Sequence, residues 1–168
     1  MKLLAALAIL ALLVGCGGVP REIRLGVEQL ASGTDRADEL LTAQIAERRP
    51  VIRDEVVALV DAGTIASVED GIDEIERRAA PMTVAARVLR TVRSALLALE
   101  RSLDAWDAGS GDGAFLDAAA CVVAVLGELA GALDAAEVEL PEALLSGAEV
   151  LARFAGAACP EPEAANGQ

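Results

Sequence analysis

The sequence predicts an all-α protein: an antiparallel helical bundle of about four to six helices, two of them long, near residues 82–108 and 114–137. Three observations carry that expectation. Apolar side chains recur at alternating intervals of four and three, which gathers them on one side of a helix with 3.6 residues per turn. Pro, Gly and N-cap residues separate these seams, and no stretch sustains the period-two alternation of a strand. Several amphipathic helices joined by short turns can bury their seams only against one another, in a bundle.

The first seam runs from Glu22 to Glu47 through Ile23, Val27, Leu30, Thr34, Ala37 and Leu41. Arg48-Arg49-Pro50 is predicted to end this helix, because the residue before a proline is pushed out of the α region and Pro suits the first turn of the next helix. A second helix over residues 51–62 carries Ile52, Val56, Leu59 and Val60, and Gly63 closes it. Ser67 then reads as an N-cap, followed by Glu69 and Asp70 at the positive end of a helix dipole, with Arg77 and Arg78 near the other end and a stop at Pro81. The apolar stripe of this segment is thin: Val68, Ile72 and Ile75.

The strictest pattern follows. Ala85, Leu89, Val92, Leu96, Leu99, Leu103 and Trp106 define one long helix, and Gly109-Ser110-Gly111-Asp112-Gly113 is predicted to turn the chain. Phe115, Ala119, Val122, Leu126, Leu129 and Leu133 continue the spacing in a second long helix. Residues 118–133 are apolar but too short for a hydrocarbon core of ~30 Å, and they include Glu128, so they read as the most buried helix of the core. Leu140-Pro141-Glu142 restarts a last helix, with Leu144, Leu145, Ala148, Leu151, Ala152 and Ala155 expected to face inward. Cys159-Pro160 ends a single domain spanning residues 22–159, and residues 160–168 read as a disordered acidic tail.

The chain opens MKLLAALAILALLVGCGG, in which one Lys precedes a short apolar run and then small residues, the order of a secretory signal. Leu13-Val14-Gly15-Cys16 resembles the lipobox of bacterial lipoproteins. The resemblance covers the first 16 residues only. It implies that residues 1–15 are a cleaved signal peptide, that the Cys16 thiol carries a diacylglycerol, and that the new amine receives a further acyl chain such as palmitate. Each buried CH₂ contributes about 0.8 kcal/mol, so several chains anchor firmly where one would not. Residues 16–21 would then be the lipidated Cys and a tether, with Gly17 to Pro20 spanning at most ~14 Å. Expected localisation is extracytoplasmic and lipid-anchored to a bacterial membrane. In a Gram-negative cell, Gly17 in place of an Asp retention signal points to the outer membrane.

Composition narrows the chemistry. After residue 15 the chain has 13 Arg against 27 Asp and Glu, a balance of −14, which repels nucleic acid and leaves the lipid as its membrane attachment. Lys2 is the only Lys, and His and Tyr are absent. Ser-His-Asp and Cys-His arrangements, Schiff-base lysines and His-ligated metals are therefore excluded. No catalytic residue, metal or cofactor is expected. Carboxylate pairs remain available, with Trp106, Phe115 and Phe154 as the only aromatic platforms.

Three constellations stand out. Cys121 lies eighteen residues before Glu139 and Cys159 twenty after, which places them level on an antiparallel helix pair. Outside the cytoplasm they are a candidate disulfide contributing roughly 3 to 4 kcal/mol. Arg87, Arg90 and Arg93 recur every three residues and could bind an acidic partner or an anionic group, although neutralisation by neighbouring acids is the simpler reading. Glu69, Asp70, Asp73, Glu74 and Glu76 lack the order of a calcium loop and read as a solvated face, and Trp106 reads as core filling beside Phe115. Together these features predict a membrane-anchored extracytoplasmic lipoprotein with a structural or protein-interaction role towards an envelope protein. A helical carrier of a small apolar ligand is the alternative, and a carboxylate-based envelope hydrolase a more distant one.

Overall fold

The computed structural model describes residues 19–110 and 112–154. The signal and lipobox, Gly111, and the C-terminal stretch with Ala155 and Cys159 lie outside the described residues. Four helices form: α1 (Arg21–Asp61), α2 (Val68–Ala105), α3 (Gly113–Ala135) and α4 (Glu142–Phe154), with no strand among the described residues. The fold is all-α, as the periodicity predicts. The seams over residues 23–41, 85–103 and 115–133 are buried at every position named above and Trp106 packs partly buried against the core, whereas Ile52, Leu59, Val60 and Ile75 are half-buried and Val68 and Ile72 exposed.

The two expected proline stops do not occur. Pro50 lies inside the 41 residues of α1, and Pro81 inside the 38 residues of α2. A proline within a helix removes one backbone donor and crowds the carbonyl four residues earlier, at a cost of about 3 kcal/mol. The two carbonyls that lose their partner belong to Ala46 and Arg77, both at exposed positions. The seams carry the helices past the prolines, with Ile45 and Ile52 flanking Pro50 and Met82 following Pro81 directly. Packing on both sides outweighs the local defect, and the six helical segments of the sequence pattern form four helices.

Gly63 closes α1 as expected. It sits at φ 70°, and its N–H donates to the Val60 carbonyl while Thr64 N–H donates to that of Leu59, so the last carbonyls of the helix are satisfied. Helix α3 ends in the same way around Glu137, at φ 57°, a conformation that a side chain normally avoids. Ser67 caps α2 reciprocally: Asp70 N–H donates to Ser67 Oγ at 3.0 Å, and the Ser67 hydroxyl donates to Asp70 Oδ2 at 2.7 Å.

The helices run up, down, up and down, with α2 packed on α1 and α3, and α4 on α1 and α3. The α1–α4 crossing is held by glycine. A Cβ on Gly33 would lie 2.6 Å from the backbone nitrogen of Leu144, and one on Gly147 would lie 2.8 Å from the carbonyl oxygen of Gly26. At these points backbone meets backbone. Helix α4 therefore turns a narrow face inward: Leu144, Gly147 and Leu151 are buried and Ala148 half-buried. Leu145 and Ala152, expected inside, are exposed, because Gly147 occupies the centre of the contact and rotates them outward.

Helix α3, with 23 residues and a mean hydropathy of 1.8 over its most apolar window, is long and apolar enough to cross a membrane by length and composition. It matches the expected 114–137 to within two residues, and it is longer than the apolar stretch 118–133, whose length falls short of a membrane. One third of that window is buried, the seam residues facing the bundle and Ala114, Ala124, Gly127 and Gly131 facing out.

The helices differ in length, and the bundle has two parts as a consequence. Arg48 pairs with Glu137, which brings the α3–α4 connection against α1 just below Pro50. The shared core runs from Val19 and Ile23 to Leu41 and Met82, with Ile52 and Ala79 at its edge. Beyond that level, residues 50–81 continue as a hairpin of two helices, in which Val56 is buried and a Cβ on Gly71 would lie 3.0 Å from Val60 Cγ2.

These contacts predict opposite outcomes for one kind of substitution. Gly33→Ala and Gly147→Ala should each destabilise by about 1 to 3 kcal/mol through overpacking. Gly127→Ala and Gly131→Ala, where an added Cβ meets nothing within 4 Å, should each stabilise by about 0.5 to 1 kcal/mol through helix propensity. Thermal and urea unfolding followed by circular dichroism reads both signs, and a neutral Gly33→Ala would contradict the close crossing.

Candidate functional site

The two ends of the molecule differ in chemistry. At the end where the chain enters the fold, Val19 is 8% exposed and its N–H donates to Asp107 Oδ1 at 3.0 Å. Asp107 also pairs with Arg24 on α1. It stands in the turn Trp106–Ser110, where Gly109 adopts φ 91° and reverses the chain after α2. Trp106 and Phe115 meet across this turn with ring centroids 5.3 Å apart, the core-capping role expected of Trp106. Val19 is thus tied into the fold, and only Gly17 and Gly18 separate it from Cys16 in sequence.

Of the residues singled out by sequence, Cys16 and Cys159 lie outside the described residues, and Cys121 is half-buried on α3. The structure divides the arginine row. Arg93 reaches Asp35 and Asp38 on α1, each at 3.1 Å. The Asp35 hydrogen bond is the main cause that holds its guanidinium above its ordinary pKa. Arg87 and Arg90 are exposed and make no ion pair among the described residues. Three residues on a helix turn each successive side chain by 60°, so a spacing of three winds around the cylinder, and only Arg93 comes to face α1.

Thr34 is the one buried polar residue among the described residues, and its hydroxyl donates to the Leu30 carbonyl at 2.7 Å. No carboxylate among them is buried, and no three carboxylate or thiol side chains converge on a point that could hold a metal ion. Shallow clefts lie between helices: about 210 Å³ between α3 and α4, beside Leu126 and Leu145, and about 220 Å³ beside Arg93 and Leu97. A larger and more polar one, about 460 Å³, lies where Arg36 and Leu40 face Pro141 and Glu142.

At the hairpin end the chemistry changes. A groove of about 290 Å³ runs between α1 and α2, lined by Val56, Val57, Val60, Val68, Ile72 and Ile75, with Asp61 at its edge and Gly71 at its floor. Val57 is 50%, Val68 69% and Ile72 51% exposed. Between Asp54 and Glu76 the chain carries eight acids and no Lys or Arg. Arg53, Arg77 and Arg78 reach back to Asp54, Glu74 and Glu55, leaving Asp61, Glu69, Asp70, Asp73 and Glu76 without an ion pair among the described residues. The sequence shows Val68, Ile72 and Ile75 as a thin stripe, but not that α3 and α4 stop short of it. The signal for that was length: neither later segment is long enough to follow α1 to its end.

No protein family, curated protein or solved structure matches this chain.

The entry clamp predicts a graded response. Asp107→Ala removes the acceptor for Val19 and the partner of Arg24, and should cost about 1 to 2 kcal/mol. Asp107→Asn keeps an acceptor oxygen for Val19 and should cost less than half of that. Urea unfolding of the two variants gives the ratio.

Proposed function

We propose that this protein is a lipid-anchored extracytoplasmic lipoprotein whose work is to present a helical surface to another protein of the cell envelope. The observation that carries the reading is the position of Val19: a buried residue, clamped to Asp107, stands three residues after the lipobox cysteine. Lipid on Cys16 would hold the α2–α3 turn within ~11 Å of the bilayer surface, the reach of three extended residues. The −14 balance of the remaining chain keeps its surface from adhering to anionic headgroups, so the attachment is the lipid itself. In a Gram-negative cell, Gly17 directs the chain to the outer membrane.

Recognition is the role that suits the surface. The acids are exposed, the arginines are largely engaged in neighbouring ion pairs, and apolar residues lie in clefts between helices. Within this reading Cys121 and Cys159 form a disulfide that joins α3 to the chain beyond α4 in an oxidising compartment.

Two measurements test these statements. Mass spectrometry of the chain purified from membranes should find Cys16 as the first residue, bearing acyl chains. An unmodified Cys16, or a different first residue, would sink the anchoring claim. Alkylation under denaturing, non-reducing conditions should leave Cys121 and Cys159 unlabelled until a reductant is added, and Cys121→Ala should cost roughly 3 to 4 kcal/mol in urea unfolding.

A further inference from the structure

We propose that the groove at the end of the α1–α2 hairpin binds a basic amphipathic helix from another protein. Two helices cannot enclose their own seam. Here the contact surface between them accounts for Val56 and Gly71, while Val57, Val68 and Ile72 stay half or more exposed in one continuous groove. A third helix laid along it would cover these residues through apolar side chains at i, i+3 or i+4, and i+7.

The flanks decide the charge of that helix. At 100° per residue, Glu69 and Glu76 follow Val68 and Ile75 onto the outer shoulder of α2, and Asp54 and Asp61 take the outer shoulder of α1. The groove is therefore an apolar floor between two acidic shoulders, and three of those four acids have no cation partner among the described residues. A second copy of the chain would set eight acids against eight, and an anionic lipid surface would be repelled in the same way. Lys or Arg on both sides of an apolar stripe complements the floor and the shoulders together.

This names a partner chemistry for the interaction role proposed above and rests on that role. The binding test does not depend on Cys16, so a failed anchor and a failed groove give different results. The full chain in detergent is titrated into a fluorescently labelled peptide of about 18 residues, with Leu at the i, i+3, i+4, i+7 positions and Lys elsewhere. A peptide of the same composition in scrambled order serves as the comparison. The ordered peptide should bind at least about tenfold tighter than the scrambled one, and Val57→Ser with Ile72→Ser should remove that difference. Asp61→Asn with Glu69→Gln and Glu76→Gln, all at exposed positions, should weaken binding about tenfold and flatten its dependence on salt. This second variant keeps the proposal open to refutation should the apolar pair disturb folding. Equal binding of the two peptides, or unchanged binding in the acid-neutralised variant, would overturn the proposal. So would sedimentation showing a dimer that Ile72→Ser dissociates, which would assign the groove to a second copy.

Discussion

The backbone-to-backbone crossing of α1 and α4 is the contact on which the bundle depends. Over its 13 described residues helix α4 is of a length at which an isolated helix is marginal in water, so what it touches matters to it. Gly33 and Gly147 let it come close enough for Leu144 and Leu151 to enter the core shared with Leu30. With α4 seated, the gap between α1 and α3 is closed and the outer sides of Ile23, Val27 and Leu30 are shielded from water. A wider crossing would leave voids lined by leucine, and interiors pack too densely to tolerate them.

Unequal helix length is the second constraint, and it sorts the residues of α1 and α2 into two environments. Below Arg48 each long helix has two neighbours and buries a full stripe. Above Pro50 each has only the other, and the contact narrows to small or β-branched residues such as Val56 and Gly71. Polar ties follow the same division: the Arg78 pair with Glu55 at 3.0 Å bridges the hairpin, and Arg48 with Glu137 marks where the four-helix part ends. Exposed pairs of this sort contribute about 0 to 1 kcal/mol each, so they set register more than stability.

Much of the core was legible because a 4-3-4-3 spacing has one physical meaning. The seams over residues 23–41, 85–103 and 115–133 are buried where that spacing places them, and the Ser67 cap and the Gly63 stop follow from local chemistry alone. Where the structure departs from the pattern, the causes are physical as well. Pro50 and Pro81 look like stops when only local backbone geometry is weighed, and tertiary packing on both flanks outweighs that penalty. Leu145 and Ala152 match a helical stripe of ordinary width, whereas a glycine-centred crossing admits a narrower one. Gly26 and Gly33 stand seven residues apart on the seam side of α1, a spacing that signals close approach beside the more conspicuous apolar residues between them. The Arg87, Arg90 and Arg93 row shows that recurrence in sequence is not alignment in space. The lipobox reading rests on four adjacent residues and owes nothing to the fold.

The antiparallel course of α1 has a mechanical consequence. Its first turn is fixed beside Asp107 and its last lies at the hairpin, so one uninterrupted helix of 41 residues separates the two ends by ~60 Å. The molecule is in effect a ruler. Whatever holds the entry end and whatever meets the groove are kept one helix length apart, a distance set by residue count and insensitive to which side chains line the bundle between them.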